Sequence, residues 1–240
     1  MLLKANFIRK KHTFFFSMAL IALIGSIIGF GKTFFYPLLA GTFSAPIVIH
    51  LHGGLAFLWI LFFVMQSFLI RKGNLKLHKN LGFGGIALAI LLSLSMAPAI
   101  LHQVTKGLEN GLGDLAFSDI PGTFTTTLIF MSLVLAGIRL RRKSEIHKRL
   151  LLLATLVLIW PAWFRFRHYF PSVSFPEIWF AIVLSDSFIL LAILRDKIVL
   201  GKIHPVYWLG VAIIIEHWIE YFLYTTIFWN DLGKWLYRFL

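Results

Sequence analysis

The sequence predicts an all-α polytopic membrane protein with seven transmembrane helices, and two observations lead to this. Seven apolar stretches are near the length of about 20 residues that crosses the hydrocarbon core of a bilayer. The loops between them are alternately rich and poor in basic residues, so that 17 of the 23 Lys and Arg residues lie in four segments. The apolar stretches are about 14–30, 46–70, 82–101, 121–140, 149–164, 177–194 and 205–229, and the basic segments are 1–13, 71–81, 139–149 and 195–204.

The alternation of basic loops also predicts the orientation of the chain. Loops rich in Lys and Arg stay on the cytoplasmic side during insertion. The N-terminus is therefore predicted to lie inside and the C-terminus outside, in a multi-pass protein of a bacterial inner (plasma) membrane. The basic loops are expected to contact anionic lipid headgroups, and subunits of a larger membrane complex are possible further partners.

Composition excludes several classes of function. The chain is 59% hydrophobic and only 14% charged, whereas soluble domains are about 25% charged. The net charge of +13 is concentrated in short loops beside apolar helices, so nucleic-acid binding is not expected. There is no Cys, which excludes disulfides and thiolate ligands. A haem or metal would need other ligands, above all His and carboxylates.

The three internal basic connections resemble one another. Each begins with Arg and ends with His, namely Arg71 to His78, Arg139 to His147 and Arg195 to His204. This pattern is compatible with a single domain, residues 1–240, that contains three related helical hairpins at 46–101, 121–164 and 177–229. The alternative, that these are ordinary short cytoplasmic turns, stays open.

The last apolar stretch carries three ionisable residues within five positions, Glu216, His217 and Glu220. Each such side chain at membrane depth costs about 2.5–3.5 kcal/mol on insertion scales, and is a functional candidate for that reason. Helical spacing places His217, Glu220, Tyr221 and Tyr224 on one face, with Glu216 at its margin. A hydrogen-bond network that only holds helices together is the alternative.

The second stretch carries His50 and His52, which lie about 200° apart around a helix and cannot both face one ion. His52, Trp59 and Gln66 recur every seven residues and form one stripe. His52 is therefore predicted to face inward, either as a ligand or as a packing histidine.

Further polar candidates lie toward the outer ends of the other spans. Pro98 and Pro161 are predicted to break spans 3 and 5 there, since Pro removes a helical hydrogen bond. Either Arg165 or Arg167 is expected to face Glu216 or Glu220, whereas Asp186, in the middle of span 6, has no evident partner. His102 and His168 lie close to the two prolines.

Three histidines stand at the cytoplasmic starts of spans 3, 5 and 7. They are His78, His147 and His204. Their equivalent depth would allow them to meet on a ligand, and interfacial contacts with headgroups or helix ends are the alternative.

One set of motifs resembles a family of uncharacterised bacterial multi-spanning membrane proteins. The pattern runs from His50-x-His52-Gly53 through Trp59 and Gln66 to His78-Lys79-x-Leu81-Gly82, and later motifs are similar too. A looser resemblance is to haem-b membrane cytochromes, and it implies histidine pairs on different helices that hold haem. The spacing of histidines in this chain gives no two obvious pairs at matched depths.

Four functions are compatible with these residues, and the sequence leaves open whether the protein is an enzyme. The first is a redox protein that binds haem b or a transition metal. The second is a small-molecule or proton-coupled transporter. The third is a non-catalytic subunit or assembly factor, and the fourth is a zinc-dependent intramembrane hydrolase, disfavoured because no H-E-x-x-H motif is present.

The candidate cofactor ligands are His52, His78, His102, His147, His168 and His217. The candidate metal ligands are His50, His52, His217 and Glu220. The candidate substrate or proton site is Gln66, Arg165, Asp186, Glu216 and Glu220.

Overall fold

A computed structural model describes the backbone of residues 2–240 and the side chains of residues 13–240. The Lys and Arg side chains of the first basic segment, at 1–13, lie outside this part. Helices make up 83% of the structure, and no strand occurs in the described residues. The α-helices are α1 (Leu2–Phe30), α2 (Tyr36–Leu39), α3 (Ile47–Arg71), α4 (Leu75–Glu109), α5 (Asp119–Arg139), α6 (Ser144–Leu158), α7 (Trp160–Phe164), α8 (Ser185–Leu200), α9 (Tyr207–Leu223) and α10 (Ile227–Tyr237).

The predicted fold class is confirmed. Within the described residues, six helical segments are long and apolar enough to cross a membrane, and a bent pair formed by α9 and α10 would be a seventh. The six are Thr13–Leu39, Ile47–Arg71, Leu75–Glu109, Gly113–Arg139, Ser144–His168 and Glu177–Leu200.

The seventh predicted span, 205–229, is not one helix. The chain bends by 101° between α9 and α10, because Thr226 starts a new helix by accepting a hydrogen bond from the Trp229 N–H at 3.3 Å. The Trp229 indole then donates to the Ser118 carbonyl at 3.1 Å. Lys234 pairs with Asp114 at 2.7 Å. These bonds hold α10 against the start of α5.

The two prolines behave differently. The helix ends just before Pro161, at Leu158, and α7 begins with Trp160, so the predicted break in span 5 is confirmed. Pro98 lies inside α4, which continues to Glu109, and the predicted break there is wrong. A proline removes one hydrogen bond, but the packing of a long helix on its neighbours can keep the helix continuous.

Helix α6 lies at the centre of the bundle. Every residue from Leu152 to Val157 is buried, which is typical of a helix surrounded by other helices. The indole of Trp59 on α3 donates to Thr155 on α6 at 3.2 Å. Trp59 and Gln66 are both buried, so the predicted inward face of α3 is confirmed.

One buried ion pair joins α6 to α8. Arg149 and Asp196 are both fully buried, and their side-chain atoms approach to 2.6 Å. Arg149 also contacts the Glu145 carboxylate at 2.9 Å, and Arg195 contacts Asp196 at 2.8 Å. The sequence analysis did not single out this pair, because both residues lie in basic segments that it assigned to cytoplasmic turns.

This ion pair predicts a large effect on stability. Asp196→Asn would leave the buried Arg149 without its main counter-charge, which costs about 3–5 kcal/mol. We expect the melting temperature of the purified protein to fall by about 10 °C. Arg142→Met, at an exposed position in the turn before α6, should have little effect on the melting temperature. The double variant Arg149→Met with Asp196→Leu should recover most of the lost stability. An unchanged melting temperature in Asp196→Asn would contradict a stabilising role.

The predicted orientation can be tested directly because the chain has no Cys. Asn110 and Arg142 are exposed in turns at opposite ends of the bundle. In intact cells, we expect a membrane-impermeant maleimide to label Asn110→Cys at once and Arg142→Cys only after permeabilisation. The reverse labelling pattern would show that the positive-inside prediction is wrong for this chain.

Candidate functional site

The polar face of α9 forms the core of the candidate site. His217, Glu220 and Tyr224 follow one another at intervals of three and four residues, as the sequence spacing predicts. They cover a rise of about 10 Å along the helix. The face extends from the part of the bundle where α9 packs near α6 and α8 to the start of α5.

His217 has a partner that the sequence did not reveal. Its Nδ1 lies 2.7 Å from Oδ1 of Asp186 on α8, and the two side chains are only 11% and 5% exposed. The other carboxylate oxygen, Oδ2 of Asp186, is buried and has no hydrogen-bond partner. Asp186, for which no partner was evident, is therefore paired across the helix interface.

A local irregularity in the sixth span precedes this pair. Residues Glu177–Leu184 form a π-helix that passes directly into α8. A π-helix widens the turn and changes the direction of the side chains that follow it, and such bulges are frequent at functional sites. Asp186 is the second residue after this segment.

Two glutamates flank His217 on α9. Oε2 of Glu216 lies 4.0 Å from Nε2 of His217. The imidazole ring therefore lies between the carboxylates of Asp186 and Glu216. Glu220, one turn further out, packs against Gly122 of α5 so closely that a Cβ at position 122 would overlap its carboxylate. Gly122 thus gives Glu220 its place between α5 and α9.

A further hydrogen bond lies at the end of the polar face near α5. The Tyr224 hydroxyl donates to Oδ1 of Asp119 in the first turn of α5, at 2.9 Å. Asp119 lies between the predicted spans 82–101 and 121–140, and no functional role was predicted for it. The one available signal was its position two residues before Pro121, at the start of a predicted span.

Arg165 does not join the glutamates. Its guanidinium donates to the Pro161 carbonyl at 2.8 Å and lies 4.1 Å from the ring centroid of Phe30. Among the described residues, no ion pair links it to Glu216 or Glu220, which corrects the expected pairing. The break before Pro161 and the following 3₁₀ turn, Arg165–His168, carry this segment toward α1. His168 is exposed there, and its carbonyl accepts from Lys32 at 3.0 Å.

The histidines of α3 and α4 lie in separate surroundings. Nδ1 of His52 donates to Oγ of Ser95 at 3.0 Å, because Ser95 gives its own hydrogen to the Leu92 carbonyl. His50 contacts the ring of Phe43, with centroids 5.2 Å apart. His102 lies two turns beyond Ser95 on α4 and is half-buried.

Two of the three inner histidines lie close together. The rings of His78 and His147 have centroids 6.4 Å apart, and Nδ1 of His147 donates to the Gly137 carbonyl at 2.8 Å. Gln66 is buried, and neither of its amide atoms has a hydrogen-bond partner.

His204 belongs to a different neighbourhood. Its Nδ1 accepts from the Val206 N–H at 3.3 Å. Burial and the positive charge of Arg149 lower the pKa of His204. His204 lies near the buried Arg149–Asp196 ion pair. It does not join His78 and His147, so the three histidines do not meet at one ligand site.

These placements bear on the haem and metal hypothesis. In the part of the chain with described side chains, no group of three or more His, Asp or Glu residues could hold a metal ion. The expected ligands His52, His168 and His217 have different partners on different helices. Binding of haem or a metal stays a prediction, which an absorption spectrum and metal analysis of the purified protein would test.

Comparison of the chain with protein-family models, curated proteins and solved structures finds no match. The resemblance to the multi-spanning family therefore stays a prediction, and functional inference depends on the geometry of the site.

Proposed function

We propose that the protein is a proton-coupled membrane transporter whose proton site consists of Asp186, His217, Glu216 and Glu220. The observation that carries this proposal is the contact between His217 on α9 and Asp186 at the start of α8, which is buried between the two helices. A histidine and a carboxyl group at hydrogen-bond distance can exchange a proton without any change in the net charge of the pair. Ionisable residues inside a membrane bundle typically mark such proton relays.

The arrangement of partners supports a proton relay better than a static structural network. Oδ2 of Asp186 has no hydrogen-bond partner and is free to hold a proton. The second ring nitrogen of His217 faces Glu216. Histidine can accept a proton at one nitrogen and release it from the other, so the ring connects the two carboxylates.

Among the residues with described side chains, polar groups continue from this pair toward one end of the bundle. Toward the predicted outer side they are Glu220, Tyr224 and Asp119. Toward the predicted inner side, Ile189 and Ala192 are buried on α8, and the Arg149–Asp196 pair lies beyond them. Transporters alternate access to a central site by closing one side at a time. In this conformation, access to the proposed proton site would be closed on the side where the Arg149–Asp196 ion pair lies.

The proposal predicts proton movement that depends on the carboxylates. In proteoliposomes that contain a pH-sensitive dye, a potassium diffusion potential should drive proton flux above that of protein-free liposomes. Asp186→Asn and Glu220→Gln should each reduce this flux at least tenfold, because neither amide can carry a proton. Gly122→Ala should also reduce the flux, because the added Cβ displaces the Glu220 carboxylate. Alanine favours a helix more than glycine does, so α5 itself should stay intact.

Glu109→Gln is the matched control, because Glu109 is an exposed carboxylate at the end of α4. Its flux should equal that of the wild type. Wild-type flux equal to that of protein-free liposomes, or full flux in correctly folded Asp186→Asn, would overturn the proposal.

A further inference from the structure

A groove between α5, α6 and α9 opens on the side of the bundle. Its volume is about 510 Å³, which lies within the range of about 300–1,000 Å³ for small-molecule sites. Its lining is almost entirely apolar and includes Leu128, Leu133, Leu209 and Ile213. Glu216, at one end of this lining, is the charged residue of the groove, and its side chain is 27% exposed.

A second groove, on α8, provides an internal comparison. It has a similar volume, about 560 Å³, and is lined by apolar residues that include Leu190, Leu194 and Ile203. The charged residue in its lining is Lys197. The two grooves therefore have nearly the same size and polarity and differ in the sign of their charge.

The neighbourhood of Glu216 has an excess of negative groups. Asp186, Glu216 and Glu220 surround His217, and Asp119 follows further out. Arg165, the cation that the sequence placed here, lies against Phe30 instead. Among these residues His217 is the one group that can carry a positive charge, so a cation brought to the carboxylate of Glu216 would be stabilised in this weakly polar surrounding.

We infer that the groove between α5, α6 and α9 binds a lipophilic organic cation, with its positive charge at Glu216 and its apolar body against Leu133, Leu209 and Ile213. Such a molecule dissolves in the bilayer and can enter the groove from the side. A neutral acyl chain would fill the apolar part but would leave Glu216 without a counter-charge. This inference rests on the proposed function and names the substrate class of that transporter.

The geometry also indicates how the cation and the proton are coupled. Glu216 lies 4.0 Å from His217, so a cation paired with Glu216 repels a proton on that ring. Binding of the cation therefore favours release of the proton, which is the relation expected for exchange of the two. Because coupling between sites is reciprocal, a proton on His217 weakens binding of the cation to the same extent.

Binding of tetraphenylphosphonium to the purified full-length protein in detergent tests this inference by equilibrium dialysis. Glu216→Gln should weaken binding at least tenfold, and Glu216→Asp should retain most of it. Ala212→Trp, at an exposed position in the groove lining, should also abolish binding by filling the space. Tetraphenylborate, an anion of the same shape, should not bind at this site.

Two controls separate the groove from general effects. Leu194→Trp fills the other groove and should leave binding unchanged, as should Glu109→Gln. Equal binding by wild type and Glu216→Gln, or equal loss in Leu194→Trp and Ala212→Trp, would overturn the inference. Loss of helical content in any variant is detected by circular dichroism, and the conservative Glu216→Asp keeps the test informative.

The two proposals can fail separately. Proton flux without cation binding would leave the transporter proposal standing and remove the lipophilic cation as its substrate. Cation binding at Glu216 without any proton flux, when tetraphenylphosphonium is present on one side of the liposome membrane, would establish the binding site and remove proton coupling.

Discussion

The Arg149–Asp196 ion pair is the contact on which the arrangement of the bundle most depends. Arg149 projects from the central helix α6, pairs with Asp196 on α8, and lies 6.0 Å and 5.8 Å from the rings of Phe15 on α1 and Tyr207 on α9. One buried guanidinium on α6 therefore contacts three other helices. Removing one partner of such a pair leaves an uncompensated charge, so the positions of these helices are coupled to one another.

The same helices carry the candidate proton site ten residues further along α8. Asp186 and Asp196 lie about 15 Å apart along that helix, separated by the buried side chains of Ile189 and Ala192. A movement of α8 or α9 that opened the ion pair would also change the contact between His217 and Asp186. In the proposed transporter, this link would couple proton binding to access from the side of the bundle where the ion pair lies.

The choice of partner for the carboxylates determines the chemistry that the site can perform. A guanidinium stays charged under all conditions and would hold a glutamate permanently ionised. A histidine changes its charge near neutral pH. The structure pairs Asp186 with His217 and directs Arg165 toward Phe30, so the pair at mid-bundle can gain and lose a proton. It also leaves Glu216 able to pair with an external cation.

The sequence by itself determined the fold class, the approximate helices and the shared face of His217, Glu220 and Tyr224, because these depend on local hydrophobicity and on helical periodicity. It also identified Asp186 as a carboxylate within an apolar span and Pro161 as the position of a helix break. Only the tertiary structure decided that Asp186 pairs with His217, that Asp196 pairs with Arg149, and that Arg165 lies against α1. The two carboxylate contacts join residues that are 31 and 47 positions apart in the sequence. The rotation of each helix about its own axis selects these partners, and that rotation is set by packing among all the helices.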